Sequence, residues 1–213
     1  MRLFTKTRAL VILTLHTVGF ILFAVPPAEG LGELVRLAFV HIPAAWVSVL
    51  AFLLSAWWAF RYLRGKDMRY DRLSGRSAKL GFYFVIFATI TGAVFGRLTW
   101  GSWWNWDPRQ TTIFILILIY GAYLTLRAAV PEERKRASVS AVYSLLSCLS
   151  VPFLVFILPR LYFSLHPQPV LNSGGHIDMD PVMLTILILA VVNATCIYLY
   201  LLYRSEGGTR DEA

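Results

Sequence analysis

The sequence predicts an all-α polytopic membrane protein, a bundle of six membrane-crossing helices with the N- and C-termini cytoplasmic. Three observations carry this. Of 213 residues, 57% are hydrophobic and only 15% are charged, too few charges to cover a soluble surface of this size. The apolar residues gather into six runs of about the 17–25 residues that a helix needs to cross the hydrocarbon core. The runs are continuous rather than alternating, and in lipid only helices and closed barrels satisfy their backbone, so they are helices. Finally, sixteen of the twenty Lys and Arg residues fall on one side of these runs, which the positive-inside rule makes the cytoplasmic side.

The first run, Ala9–Val25, follows Arg2, Lys6 and Arg8. Its basic start resembles a signal peptide, but Val25-Pro26-Pro27-Ala28 is a poor cleavage site, so the segment is read as a retained span. His16 lies near its middle, between Thr14 and Thr17, and is read as a neutral histidine hydrogen-bonded to a neighbouring helix. A short outer connection, Pro26–Arg36, leads to the second run, Leu37–Tyr62. Seven basic residues from Arg61 to Lys79 then form an inner connection. The third run, Leu80–Gly96, ends on the outer side at Arg97–Gln110. The fourth, Thr111–Leu126, returns to Arg127, Arg134, Lys135 and Arg136. In the fifth, Val139–Leu158, Pro152 and the following Pro159 each remove a backbone donor and favour a kink at the outer end. A long outer loop, Pro159–Pro181, precedes the sixth run, Val182–Tyr203, and Arg204 and Arg210 follow it. Residues 1–213 read as a single six-span domain, with the tryptophan-rich segment 97–110 and the loop 159–181 as its outer features.

The net charge of +8 calls for no nucleic acid, because basic inner loops meet anionic membrane lipid favourably. Cys148 and Cys196 fall inside spans five and six and read as buried free thiols. No Cys-x-x-Cys, Cys-x-x-Cys-His or Walker-A pattern occurs, so the chain carries no thioredoxin-like, c-type haem-attachment or nucleotide-binding motif of its own.

The densest chemistry lies in Trp100-Gly101-Ser102-Trp103-Trp104-Asn105-Trp106-Asp107-Pro108-Arg109-Gln110, which holds four of the seven tryptophans. Two readings stand at this point. Tryptophan favours the headgroup level, so an aromatic belt explains it. Concentration at one of six helix ends suits instead a shelf for a flat, polarisable ligand. Asp107 is an N-cap acid with Pro108 at the first helical position and Gln110 at the third, a pattern repeated by Asp180-Pro181; a further role would come in addition to the cap. Arg97 and Arg109 bracket the shelf and are either headgroup anchors or forks for ligand carboxylates.

His41 opens span two in Val40-His41-Ile42-Pro43-Ala44-Ala45-Trp46, and His166 lies just past the kinked end of span five. Both sit near the outer surface, where an ionisable residue is a functional hypothesis. Two such histidines can supply axial nitrogens to one haem iron; a solvated loop histidine is the alternative for His166. His176, beside Gly174-Gly175, reads as an exposed loop residue.

Together these residues resemble a known family. Trp-Gly-x-Trp-Trp-x-Trp-Asp at 100–107 is similar to the "WWD" signature of haem-handling proteins in cytochrome c biogenesis. His-Ile-Pro-Ala-Ala-Trp at 41–46 resembles the corresponding element of the CcmC family, the six-span members of the system I maturation machinery. Leu165-His166 fits the family's second histidine better than His176 does. The related CcsA and CcmF families continue their motif Trp-Asp-Pro-Lys-Glu and Trp-Asp-Pro-Val-Glu. Here Asp107-Pro108-Arg109-Gln110-Thr111 is closer to CcmC's Asp-x-Arg-x-Thr, with Gln110 where leucine is usual.

The resemblance implies a haem-delivery protein rather than an enzyme. Such a protein presents haem b, as bound cargo, at the periplasmic face of the bacterial cytoplasmic membrane and promotes its attachment to the haem chaperone CcmE. The ABC-type subunits CcmA and CcmB and the small single-span CcmD are the implied partners. By the same resemblance His41 and His166 are the axial ligands, and Trp100, Trp103, Trp104, Trp106 and Asp107 form the platform. Arg97 and Arg109 are then partners for the propionates. Two other functions compete: a permease subunit with structural tryptophans, and a b-type membrane cytochrome, which would need histidine pairs at both depths.

Overall fold

The computed structural model describes residues 2–166, 177 and 179–204. It contains six helical stretches long and apolar enough to cross a membrane, and no strand among the described residues: the chain is a multi-pass helical membrane protein. Helix α1 spans Arg2–Phe23, and a 3-10 turn at Glu33–Leu37 runs straight into α2, Ala38–Gly65. Then come α3 (Met68–Trp100), α4 (Pro108–Ala129) and α5 (Glu133–Pro152). A π-helical turn at Phe153–Ile157 joins α5 to the short α6 (Leu158–Leu161), and α7 (Pro181–Tyr203) closes the chain.

Helix α2 is the hub, packing on α3, α5 and α7. The reason is legible in its buried row Val47, Ala51, Ser55 and Ala59: small residues every four positions form one stripe that lets neighbouring backbones come close. Opposite it, a Cβ on Gly81 would come within 2.8 Å of the Phe52 ring, so α3 approaches as closely as glycine permits. Hydroxyls cross the same contacts. Ser77 donates to the Ala51 carbonyl at 2.6 Å and meets the Tyr198 hydroxyl at 2.7 Å. Ser55 reaches the Ser74 carbonyl at 3.0 Å and the Ser144 hydroxyl at 3.1 Å. Helix α1 docks chiefly on α7, through Thr7 to Tyr200 at 2.7 Å and Thr14 to Asn193 at 3.1 Å.

The structure revises three expectations. The basic residues after Tyr62 do not form a long loop. Asp67 caps α3 by accepting from the Arg69 amide, and 68–79 is helix, leaving only Lys66 and Asp67 between α2 and α3. At 33 residues, α3 is roughly 50 Å long and stands well beyond the hydrocarbon layer. His16 is hydrogen-bonded within its own helix, to the Ile12 carbonyl at 2.8 Å, and is exposed; it reaches no neighbouring helix. In span five, where its prolines favour a kink, the regular helix gives way to a π turn between Pro152 and Pro159, with the Leu158 amide donating to the Phe153 carbonyl. Cys148 and Cys196 are free thiols, only half-buried.

Candidate functional site

The tryptophan segment is shorter as a loop than as a motif. Arg97–Trp100 belong to α3 and Pro108–Gln110 to α4, so Gly101–Asp107 makes the turn. Gly101 takes the left-handed conformation (φ 76°) that ends a helix, and the Arg97 guanidinium donates to its carbonyl. Within the turn, the Ser102 hydroxyl donates to the Trp104 carbonyl at 2.8 Å. The Asn105 amide donates to the Gln110 side chain at 3.0 Å, and the Asp107 amide to the Asn105 side chain at 3.2 Å. Gln110 thus reaches back two residues beyond the cap. These bonds fix Trp106, whose φ of 58° is left-handed, a conformation costly for a bulky side chain; its carbonyl is held by Thr111 at 3.1 Å.

The four tryptophans are not one shelf. Trp104 lines a cavity and meets Trp106 and Phe114 edge-on at 5.7 and 6.2 Å. Trp100 lies against His166, ring centroids 5.0 Å apart. Trp103 and Trp106 are 58% and 67% exposed, positions suited to the membrane interface. Trp100 and Trp104 thus lie against His166 and the cavity, while Trp103 and Trp106 are exposed.

Asp107 caps α4, its Oδ1 accepting from the Arg109 amide at 2.9 Å, and does more. The Ser164 hydroxyl is shared between both carboxylate oxygens at 2.9 Å each, and the Leu165 amide donates to Oδ2 at 2.7 Å. His166 Nδ1 lies 3.1 Å from Oδ1. Burial pushes the Asp107 carboxyl up, but the donors Arg109, Leu165 and Ser164 and the neighbouring His166 together hold it below the usual carboxylate range. Burial lowers the pKa of His166; Asp107 pulls it back up only in part, against Arg109 and His41.

His41, third from Ala38 in α2, turns onto α3. Its Nδ1 donates to the Ala88 carbonyl at 2.9 Å and lies 3.3 Å from the Thr91 hydroxyl. Gly92 makes this possible, because a Cβ there would sit 2.9 Å from His41 Cε1. In each histidine Nδ1 faces an acceptor and carries a proton. In the neutral ring Nε2 then keeps a bare lone pair, the arrangement typical of metal-ligating imidazoles.

Both rings line one cavity of about 160 Å³. Its other walls include Ala88, Gly92, Trp104, Arg109 and, from the kinked fifth span, Val155 and Pro159. Arg109 is half-buried, and its Nε, enclosed in the protein, has no hydrogen-bond partner among the described residues. Arg160 lies close enough for the two charges to repel. Arg97, in contrast, caps α3 and does not line the cavity.

The structure therefore brings together His41, His166, Trp100, Trp104, Asp107 and Arg109, leaves Trp106 touching the group only through Trp104, and sets Arg97 and Trp103 apart. His176 lies outside the described residues. Gly92, Thr91 and Ser164 were not foreseen: an intrahelical glycine and two hydroxyls carry no signal until the helices are packed.

A family model described as "CcmC: Heme exporter protein C" matches residues 2–207. A "Heme exporter protein C" of Paracoccus denitrificans is 33% identical over 159 residues, 75% of this chain and 64% of that one. Another from Bradyrhizobium diazoefficiens is 28% identical over 160 residues, 75% of this chain and 61% of the relative. The chain thus spans less than two thirds of these bacterial relatives. A "Cytochrome c biogenesis protein CcsA" of Prochlorococcus marinus is 42% identical over 80 residues, 38% of this chain and 25% of that one.

Proposed function

Because the chain belongs to the CcmC family, we propose that it handles haem for cytochrome c maturation, holding haem b as cargo between His41 and His166. One observation carries this reading. Two imidazoles line the same cavity, each with Nδ1 turned to an acceptor, which in the neutral ring leaves Nε2 free to donate. Trp104 offers a wall for the macrocycle and Trp100 supports the His166 ring. Arg109, in the cavity wall, suits a propionate, because a guanidinium fork matches a carboxylate. Arg97 leaves that role. The gathering of basic residues at the other end of the bundle supports a site on the outer face of a bacterial cytoplasmic membrane, facing the periplasm.

Chemically, axial donation holds iron and the aromatic walls hold the ring. A cavity of about 160 Å³ is smaller than pockets that enclose drug-sized ligands, roughly 300 Å³ and above. That leaves a porphyrin edge outside, where an acceptor, the chaperone CcmE in this family, can take it. CcmA, CcmB and CcmD are the corresponding assembly partners.

The test is spectroscopic. Purified protein with hemin is expected to show a low-spin bis-histidine spectrum that His41→Ala and His166→Ala each alter. Two unchanged spectra would overturn the ligand assignment. No haem uptake at all would favour a permease subunit with structural tryptophans.

A further inference from the structure

We propose that Asp107 is a latch that makes His166 the exchangeable histidine of the pair, an inference that rests on the haem-binding reading above. The two histidines are held in different ways. His41 is embedded in α2, and its acceptor is a main-chain carbonyl of α3, the helix most extensively packed on α2. The ring is closed in by Gly92. Releasing His41 means separating two helices.

His166 has no helix beneath it. Helix α6 ends at Leu161, and 162–166 continue as irregular chain with Tyr162 63%, Phe163 87% and Leu165 45% exposed. The segment is docked by Ser164 Oγ, the Leu165 amide and His166 Nδ1, and all three bond the Asp107 carboxylate. The Trp100 ring edge adds an apolar contact. Among the described residues, one side chain therefore gathers the segment's polar attachment.

The same carboxylate sets the strength of the donor. An imidazole whose Nδ1–H is held by a carboxylate is more basic at Nε2 than one held by a neutral carbonyl. With the latch closed, His166 is the stronger donor of the two. When it opens, His166 loses both that enhancement and its position, while His41 keeps hold of the iron. An incoming nitrogen donor then supplies the replacing electron pair as the iron–Nε2 bond breaks, with no change of oxidation state. Release on one face only follows from the architecture.

Two measurements on the full chain in lipid nanodiscs test this. Asp107→Asn is the chosen variant because asparagine caps helices as well as aspartate does, so α4 is spared; Ser164→Ala removes one attachment without touching the cap. Without haem, Asp107→Asn is expected to speed hydrogen exchange of the 164–166 amides by about tenfold or more, as loss of a charge-assisted bond requires. Ser164→Ala should give a smaller increase. The amides around His41 should not change. With hemin bound, Asp107→Asn is expected to turn part of the low-spin spectrum high-spin and to recover it on adding imidazole.

Wild-type protection of 164–166 in Asp107→Asn, or a low-spin spectrum as resistant to imidazole as wild type, would overturn the latch. A spectrum altered by His166→Ala but not by Asp107→Asn removes the latch and leaves the haem reading standing. Absence of hemin binding in the wild type removes the haem reading, and with it the inference of ligand exchange.

Discussion

The end of the bundle away from the site supplies the sharpest quantitative test. Asp71 of α3 and Arg127 of α4 form a two-pronged ion pair, with N–O distances of 2.6 and 3.0 Å. Their side chains are 3% and 17% exposed. The guanidinium lies flat on Gly75, where a Cβ would be 2.8 Å from Cζ. Asp71→Ala leaves the buried arginine without its counter-charge, which typically costs about 3–5 kcal/mol. Because Arg127 is two residues from the end of its helix and can turn toward water, the lower figure applies. A loss of about 3 kcal/mol shifts the unfolding equilibrium more than a hundredfold. In a double-mutant cycle of Asp71→Leu, Arg127→Met and both together, each single variant leaves one charge unpaired and the double leaves none, so the double should cost no more than one single, a coupling of about 3 kcal/mol. Reversible unfolding in mixed micelles, followed by circular dichroism, measures all four proteins. Single variants that cost under about 1 kcal/mol, or costs that simply add, would refute the pair as a joint between α3 and α4.

Three further outcomes are expected. Gly92→Ala puts a Cβ 2.9 Å from His41 Cε1; overpacking of this kind costs about 1–3 kcal/mol, so hemin titration should show affinity reduced by about tenfold in a folded protein, and unchanged affinity would dissociate His41 from the cavity. Trp104→Ala should weaken hemin retention while Trp103→Ala does not, because only the first lines the cavity; equal effects would restore a four-tryptophan platform. Gln110→Ala releases the Asn105 amide, a hydrogen bond worth about 1 kcal/mol, and should speed exchange at Asn105 and Asp107, with no effect on α7.

The membrane architecture was legible because it is written in local quantities: run length, hydropathy and the placement of arginine. Helix ends were less legible. Residues 68–79 read as a loop because they are basic, yet a single capping aspartate and a face of Leu73, Ser74, Ser77 and Ala78 make them helix. At the site, residue types announced themselves and their directions did not. Trp103 and Trp104 are adjacent in sequence, but one faces out and the other faces the cavity. Asp107 reads as a cap, which it is; its second set of partners comes from 57 residues away or more, a distance only the packed fold closes. Arg127 reads as one of the basic residues of the inner side, whereas pairing with Asp71 draws it inside.

Helix α3 is one uninterrupted rod from Met68 to Trp100, with the Asp71 joint at one end and the Ala88 carbonyl, Gly92 and Trp100 toward the other. A rod has no place to absorb a push. Axial slips between packed helices run to about 1–2 Å. A slip of that size would stretch the 2.9 Å bond between His41 and Ala88 past hydrogen-bonding reach. Whatever grips the basic end of α3 therefore has mechanical purchase on the imidazole at the far end, on the opposite side of the membrane.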